Sequence, residues 1–153
     1  MTSASYDSVS FSVSSQSTTP SSLSFSENGS YMYIHDNSTS VAYQYNLSSA
    51  WDLSSASYSN NSITLSSPSG LAAIDVVDSG TKMFASFTGQ IVEYSLSSAY
   101  DISSATATSD TFSSLGFNST SIQILDSGGF MALVNGNEGA IQDIKTTTTY
   151  PNQ

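Results

Sequence analysis

His35 is the only histidine among 153 residues, so any Ser-His-Asp chemistry in this chain would have to pass through it. The serines do not single out a partner. They number 38, with 15 threonines beside them, and no Gly-x-Ser-x-Gly elbow marks one as a nucleophile. Next to Asp36, His35 reads instead as a residue capping a strand at an exposed hairpin. The twelve carboxylates are scattered. A glycosidase needs two of them facing each other across a cleft. Asp52 and Asp101, like Asp78 and Asp126, occupy matching places in a repeat, which marks turns and caps rather than catalysts. The EF-hand spacing is absent and there is no cysteine, so neither a metal nor a cofactor is expected. Trp51 and Tyr100 offer a different chemistry, because aromatic faces stack on sugar rings while Ser and Asn neighbours supply hydrogen bonds. These two are also repeat equivalents, and the competing reading is packing over the edge of each repeat. Trp51, Tyr100 and His35 are therefore the candidate ligand or interface contacts, and a glycan is the ligand they would suit.

Composition narrows the partners. Lys82 and Lys145 are the only cations against 12 acidic residues, for a formal net charge of −10. Such a chain cannot neutralise a run of phosphates, which excludes nucleic acid and anionic membrane surfaces. No run approaches the 18 or so apolar residues of a membrane helix, and the start of the chain lacks the basic and apolar regions of a secretory signal. The five Asn-x-Ser/Thr triplets follow from the Ser content and are read as unglycosylated. Nine Tyr, seven Phe and one Trp, spread along the chain, separate it from Ser-rich disordered sequences. One folded domain over 1–153 is expected.

These residues are positioned by a repeat. Tyr43-Gln-Tyr-Asn-Leu-Ser-Ser-Ala-Trp-Asp-Leu-Ser-Ser-Ala56 returns 49 residues later as Val92-Glu-Tyr-Ser-Leu-Ser-Ser-Ala-Tyr-Asp-Ile-Ser-Ser-Ala105. Upstream of each lies a turn and strand with Met at a fixed place: Met32, Met83 and, in a third version, Met131. Short strands rich in Tyr, Phe, Val and Ile alternate with Ser/Asn/Asp/Gly turns, and Asn28-Gly29 and Ser79-Gly80 carry hairpin signals. Ser48 and Ser97 stand as N-caps of one helical turn each. The units span about 14–65, 66–113 and 114–150. The third lacks a fourth strand, and Ser3-Ala-Ser-Tyr6 matches Ser55-Ala-Ser-Tyr58, so residues 3–13 are expected to complete the last unit, in the same chain or a neighbouring one.

The run Phe25-Ser-Glu-Asn-Gly-Ser-Tyr-Met-Tyr-Ile34 with Tyr43–Ala56 resembles the four-stranded β-propeller blade repeats of marine bacteriophage and environmental bacterial proteins. The third unit departs from the pattern, with Lys145-Thr-Thr-Thr-Thr-Tyr150 in place of the Trp-Asp segment. The resemblance implies an all-β fold of three four-stranded antiparallel units, with a β-trefoil as the alternative. It also implies a non-enzymatic structural virion protein on the particle exterior, most simply a capsid decoration protein. The expected partners are other virion subunits and further copies of the chain. The alternative is a tail or fibre module, lectin-like and extracellular, that binds a carbohydrate or receptor.

Overall fold

The computed structural model describes residues 7–65, 71–125, 130–135 and 140–145. Nine strands follow in chain order: β1 Pro20–Phe25, β2 Tyr31–Asp36, β3 Val41–Leu47, β4 Ala56–Thr64, β5 Leu71–Val77, β6 Lys82–Leu96, β7 Ala105–Leu125, β8 Phe130–Asn135 and β9 Ala140–Lys145. They form two antiparallel sheets, β1-β2-β3-β4 and β5-β6-β7-β8-β9. The fold is all-β, as expected, but three separate four-stranded units are not what is observed.

Two long strands account for the difference. β6 runs from Lys82 to Leu96, yet its ends meet: the Leu96 N–H donates to the Thr81 carbonyl at 2.8 Å, and Lys82 Nζ lies 3.3 Å from Glu93 Oε1. Fifteen extended residues would span about 50 Å, so β6 doubles back on itself at Thr88-Gly89, where Gly89 takes a positive φ of 77°. Its first half pairs with β5 and its second with β7. β7 likewise changes partner, pairing with β6 as far as Asn118, opposite Thr88, and with β8 from Ser119.

Burial follows sequence pattern. β2, Tyr-Met-Tyr-Ile-His-Asp, is a nearly continuous apolar run and is buried on both sides, whereas the edge strand β4, Ala-Ser-Tyr-Ser-Asn-Asn-Ser-Ile-Thr, is largely half-exposed. The recurring residues Met32, Met83, Tyr45 and Tyr94 are all buried. The largest core lies in the seam between the sheets, joining Tyr33 and Ala42 of the first to Ile74, Val76, Met83, Ala85, Tyr94, Leu96 and Ile102 of the second. A second cluster joins Phe84 and Ile91 to Ile122 and Ile124. A third, with Met32, Ile34, Tyr45 and Leu47, sits on the far side of the first sheet.

Three local expectations are corrected. The helical turns are single 3₁₀ turns at Leu53–Ser55 and Ile102–Ser104, and their N-caps are Asp52 and Asp101, whose carboxylates accept from the Ser54 and Ser103 amides at 2.9 Å. Ser48 and Ser97 lie five residues before these turns, whereas the aspartates stand directly before them, where a side-chain oxygen reaches the first free amides. Of the expected N-terminal strand, the described part takes another course within this chain. Residues 7–13 form no strand, and Phe11 and Val13 pack on the first sheet, with the Phe11 ring edge-on to Tyr45 at 5.5 Å. Residues 3–6 of that expectation, and the divergent stretch 146–150, lie outside the described residues. Third, His35 is not at an exposed hairpin. It is fully buried in β2.

Candidate functional site

The inner strands of the repeats, β1, β5 and the 121–124 part of β7, border one groove of about 550 Å³. Its walls carry Leu23, Phe25 and Glu27 from the first sheet, Asp75 and Val77 from β5, and Ile122 and Ile124 from β7, with Trp51 at one end. Asp75 is the group of chemical interest. It lies in the apolar run Leu71-Ala-Ala-Ile-Asp-Val-Val77 and is itself buried. Its Oδ2 accepts the Ile124 N–H at 2.8 Å, tying one inner strand to the next. Burial pushes its carboxyl up to about 6, against the opposing pull of the Ile124 and Val76 amides, and the nearby Glu27 charge adds to the rise. Glu27 is held at the rim, where its Oε2 accepts the Ser79 N–H at 3.2 Å. Among the described residues the lining contains carboxylates, serines, a glutamine, aliphatic groups and two aromatics, but no Lys, Arg or His.

The residues singled out in the sequence do not converge on this groove. Of the three, only Trp51 borders it. Its indole, 62% exposed, packs by one face over Gly29, where a Cβ would overlap the ring, and lies 6.0 Å from the Phe25 ring. Tyr100 does the equivalent over Gly80, but its other face stacks on Tyr31 of the first sheet at 5.2 Å and 15°. The seam there is fastened by the Tyr33 hydroxyl donating to the Tyr100 carbonyl at 3.1 Å and by the Ile102 N–H donating to Gln44 Oε1 at 3.1 Å. Tyr100 is a packing residue of the seam.

His35 Nδ1 sits 2.8 Å from Ser21 Oγ, but Nε2 has no hydrogen-bond partner among the described residues. A triad needs a carboxylate on that second nitrogen. Asp36 is engaged elsewhere: its oxygens accept from the Ser17, Ser38 and Thr39 hydroxyls and from the Thr19, Ser38 and Thr39 amides. The Ser17 and Ser38 hydrogen bonds, with the others behind them, hold the Asp36 carboxyl far below its ordinary range. Burial lowers the pKa of His35, which stays neutral near pH 7. This pair is a structural clasp. Among the described residues no group of three or more His, Cys, Asp or Glu side chains is placed to hold a metal.

No protein-family model and no curated sequence relative matches the chain. Solved structures do. A candidate 6-phosphogluconolactonase from Bacteroides fragilis superposes with a TM-score of 0.60 at 12% identity, over 82% of this chain and 34% of that one. The periplasmic gluconolactonase of Pseudomonas aeruginosa gives 0.56 at 14%, over 82% and 39%. A protein from Lactobacillus plantarum gives 0.59 at 16%, over 85% and 38%. The fold is β-propeller-like. The chain spans between a third and two-fifths of the length of these propeller-like neighbours. The likeness replaces the β-trefoil alternative and overturns the virion reading: the neighbours are lactonase-like proteins, not capsid decoration or tail proteins. The repeat misled for a physical reason. It encodes how one sheet packs on the next, and that pattern is the same whatever a ring of sheets serves. Nor does the fold favour a non-enzymatic protein, since it is one that lactonases share.

Proposed function

We propose that the two sheets are successive blade-like portions of a propeller, and that the chain binds an uncharged, hydroxyl-rich ligand of the sugar type in the groove between its inner strands. The observation that carries this reading is the groove lining: buried Asp75 and rim Glu27 as hydrogen-bond acceptors, Phe25 and Leu23 as apolar surface, and, among the described residues, no cation to receive a phosphate. The Bacteroides fragilis neighbour bears the name of an enzyme for a phosphorylated sugar lactone. A phosphate in this groove would face two carboxylates and no Lys or Arg, so the ligand class proposed is the neutral one.

A second reading is favoured by the raised pKa of Asp75. Above about pH 6 its carboxylate is free to take a proton from water as that water attacks the carbonyl carbon of a sugar lactone; the ring C–O bond breaks, the expelled ring oxygen takes that proton back from Asp75, and a hydroxy acid leaves. One experiment serves both. Neutral sugars and lactones and their 6-phosphates are titrated by ligand-observed NMR, with lactone opening followed in the same tubes. The neutral compounds are expected to bind about tenfold or more tightly than their phosphates, and Asp75→Asn to weaken them. Tighter binding of the phosphates, or no neutral binding at all, overturns the ligand assignment. Opening above the spontaneous rate that increases through pH 6 and vanishes in Asp75→Asn selects the catalytic reading.

A further inference from the structure

The far side of the first sheet repeats, residue for residue, the side of the second sheet that is buried in the seam. Met32, Ile34, Tyr45, Leu47 and Leu53 stand where Met83, Ala85, Tyr94, Leu96 and Ile102 stand. In the second sheet this face is covered by Tyr33, Ala42 and Gln44 of the first. In the first sheet the only described cover is the segment 7–17, through Phe11, Val13 and the Gln16 Oε1 that accepts from the Tyr45 hydroxyl at 3.2 Å. The cover is incomplete. Leu23, equivalent to Ile74, is 56% exposed where Ile74 is 2% exposed, and Trp51 is 62% exposed where its counterpart Tyr100 is stacked. Among the described residues Val9, Leu23 and Trp51 are the large apolar side chains left exposed, and all three lie on this face or on the segment that covers it.

We infer that this face is a docking surface for a second copy of the chain, which seats its β8–β9 end there and displaces residues 7–16. The seam inside the chain is the template. Backbone register puts Phe130, Ala132 and Asp143 of β8 and β9 at the places of Tyr31, Tyr33 and Gln44, the strands that receive the second sheet. The contact is head-to-tail, and copies joined in that way close into a ring when the rotation allows. Two to three copies supply about the length of one propeller-like neighbour. The inference rests on the blade reading of the sheets and needs no ligand, though Leu23 and Trp51 border the groove as well as this face. The charge of −10 per copy opposes it at low ionic strength, so salt strengthens the association.

Trp51 is the chain's single tryptophan and reports on the face directly. Sedimentation velocity and Trp fluorescence are followed together on the full chain as its concentration increases, in low and in moderate salt. Expected are concentration-dependent association, with the emission shifting to the blue and quenching by acrylamide falling in step. Phe11→Ala with Val13→Ala, which loosens the covering segment, tightens association about tenfold, and Trp51→Glu weakens it by at least as much. If the double variant fails to fold, the Trp51→Glu and salt arms stand alone. A chain that stays monomeric throughout, or associates with Trp51 emission unchanged, overturns the inference. Loss of sugar binding without loss of association would strike the ligand reading and leave this one intact.

Discussion

Asp75 shows how one buried carboxyl sets a pH dependence. Its folded pKa of about 6 lies above the ordinary value of 3.8, so the folded state holds the proton more tightly than the unfolded chain does. The stability it contributes is complete below about pH 4 and is lost as pH climbs through 6, a change of about 2–3 kcal/mol. Asp75→Asn keeps an oxygen for the Ile124 amide and removes the titration. Unfolding of the two proteins by denaturant at pH 4, 5, 6 and 7 should show the wild type losing ground to the variant across that window; parallel curves would remove the pKa argument. Asp36 works in the opposite sense: its pKa is lowered, so its contribution is present above the unfolded value and falls away on acidification. Asp75 was legible only as a lone charge inside an apolar strand, a signal passed over in favour of the visible aromatics. His35 misled because neighbouring Asp36 suggested a hairpin tip, whereas Asp36 turns its oxygens to the 37–39 turn and the Ser17 hydroxyl.

At the scale of the element, the repeated Gly-aromatic pair decides how each turn enters its strand. Gly29 and Gly80 take φ of 70° and 80°, and each lies beneath the ring that follows about twenty residues later, with Trp51 and Tyr100 themselves at positive φ. The backbone amides of Trp51 and Tyr100 donate to the Gly29 and Gly80 carbonyls, at 3.0 and 2.8 Å, and lock the rings in place. A Cβ on Gly80 would strike both the Tyr100 ring and its backbone nitrogen; on Gly29 the three nearest atoms it would strike all belong to the Trp51 ring, which is largely exposed to solvent. Gly80→Ala should therefore cost about 3 kcal/mol and Gly29→Ala nearer 1, read from chemical denaturation. Equal costs would show that strain in φ, common to both, outweighs the clash. The sequence made the hairpin turns and strand positions readable, because Gly and the Tyr/Ile/Val runs act locally. It did not show that β6 folds back as one strand element, or that aspartates cap the 3₁₀ turns.

The whole molecule carries −10 with two cations, one of them, Lys82, paired to Glu93. Self-repulsion of that size is screened within about 10 Å at 0.1 M salt. Thermal unfolding followed by circular dichroism should move up by a few degrees between 10 and 200 mM NaCl at pH 7. A fall would mean that the ion pairs of the folded state outweigh its net repulsion. At this scale the sheets share one groove because their inner strands converge, and the Ile124–Asp75 hydrogen bond joins residues 49 positions apart.

The amino-acid pattern by itself determined an all-β chain of repeated turn-and-strand units with Met and Tyr inside, since periodicity and turn chemistry are local properties. It also set a net charge of −10, which opposes binding to polyanions, because charge is a sum over residues. Only the tertiary structure decided that Tyr100 is seam packing while Trp51, its twin, faces open space, that His35 is buried, and that Asp75 lines a groove. Those facts depend on which surface meets which, and identical repeats acquire different surroundings as soon as one of them has a neighbour and the other does not.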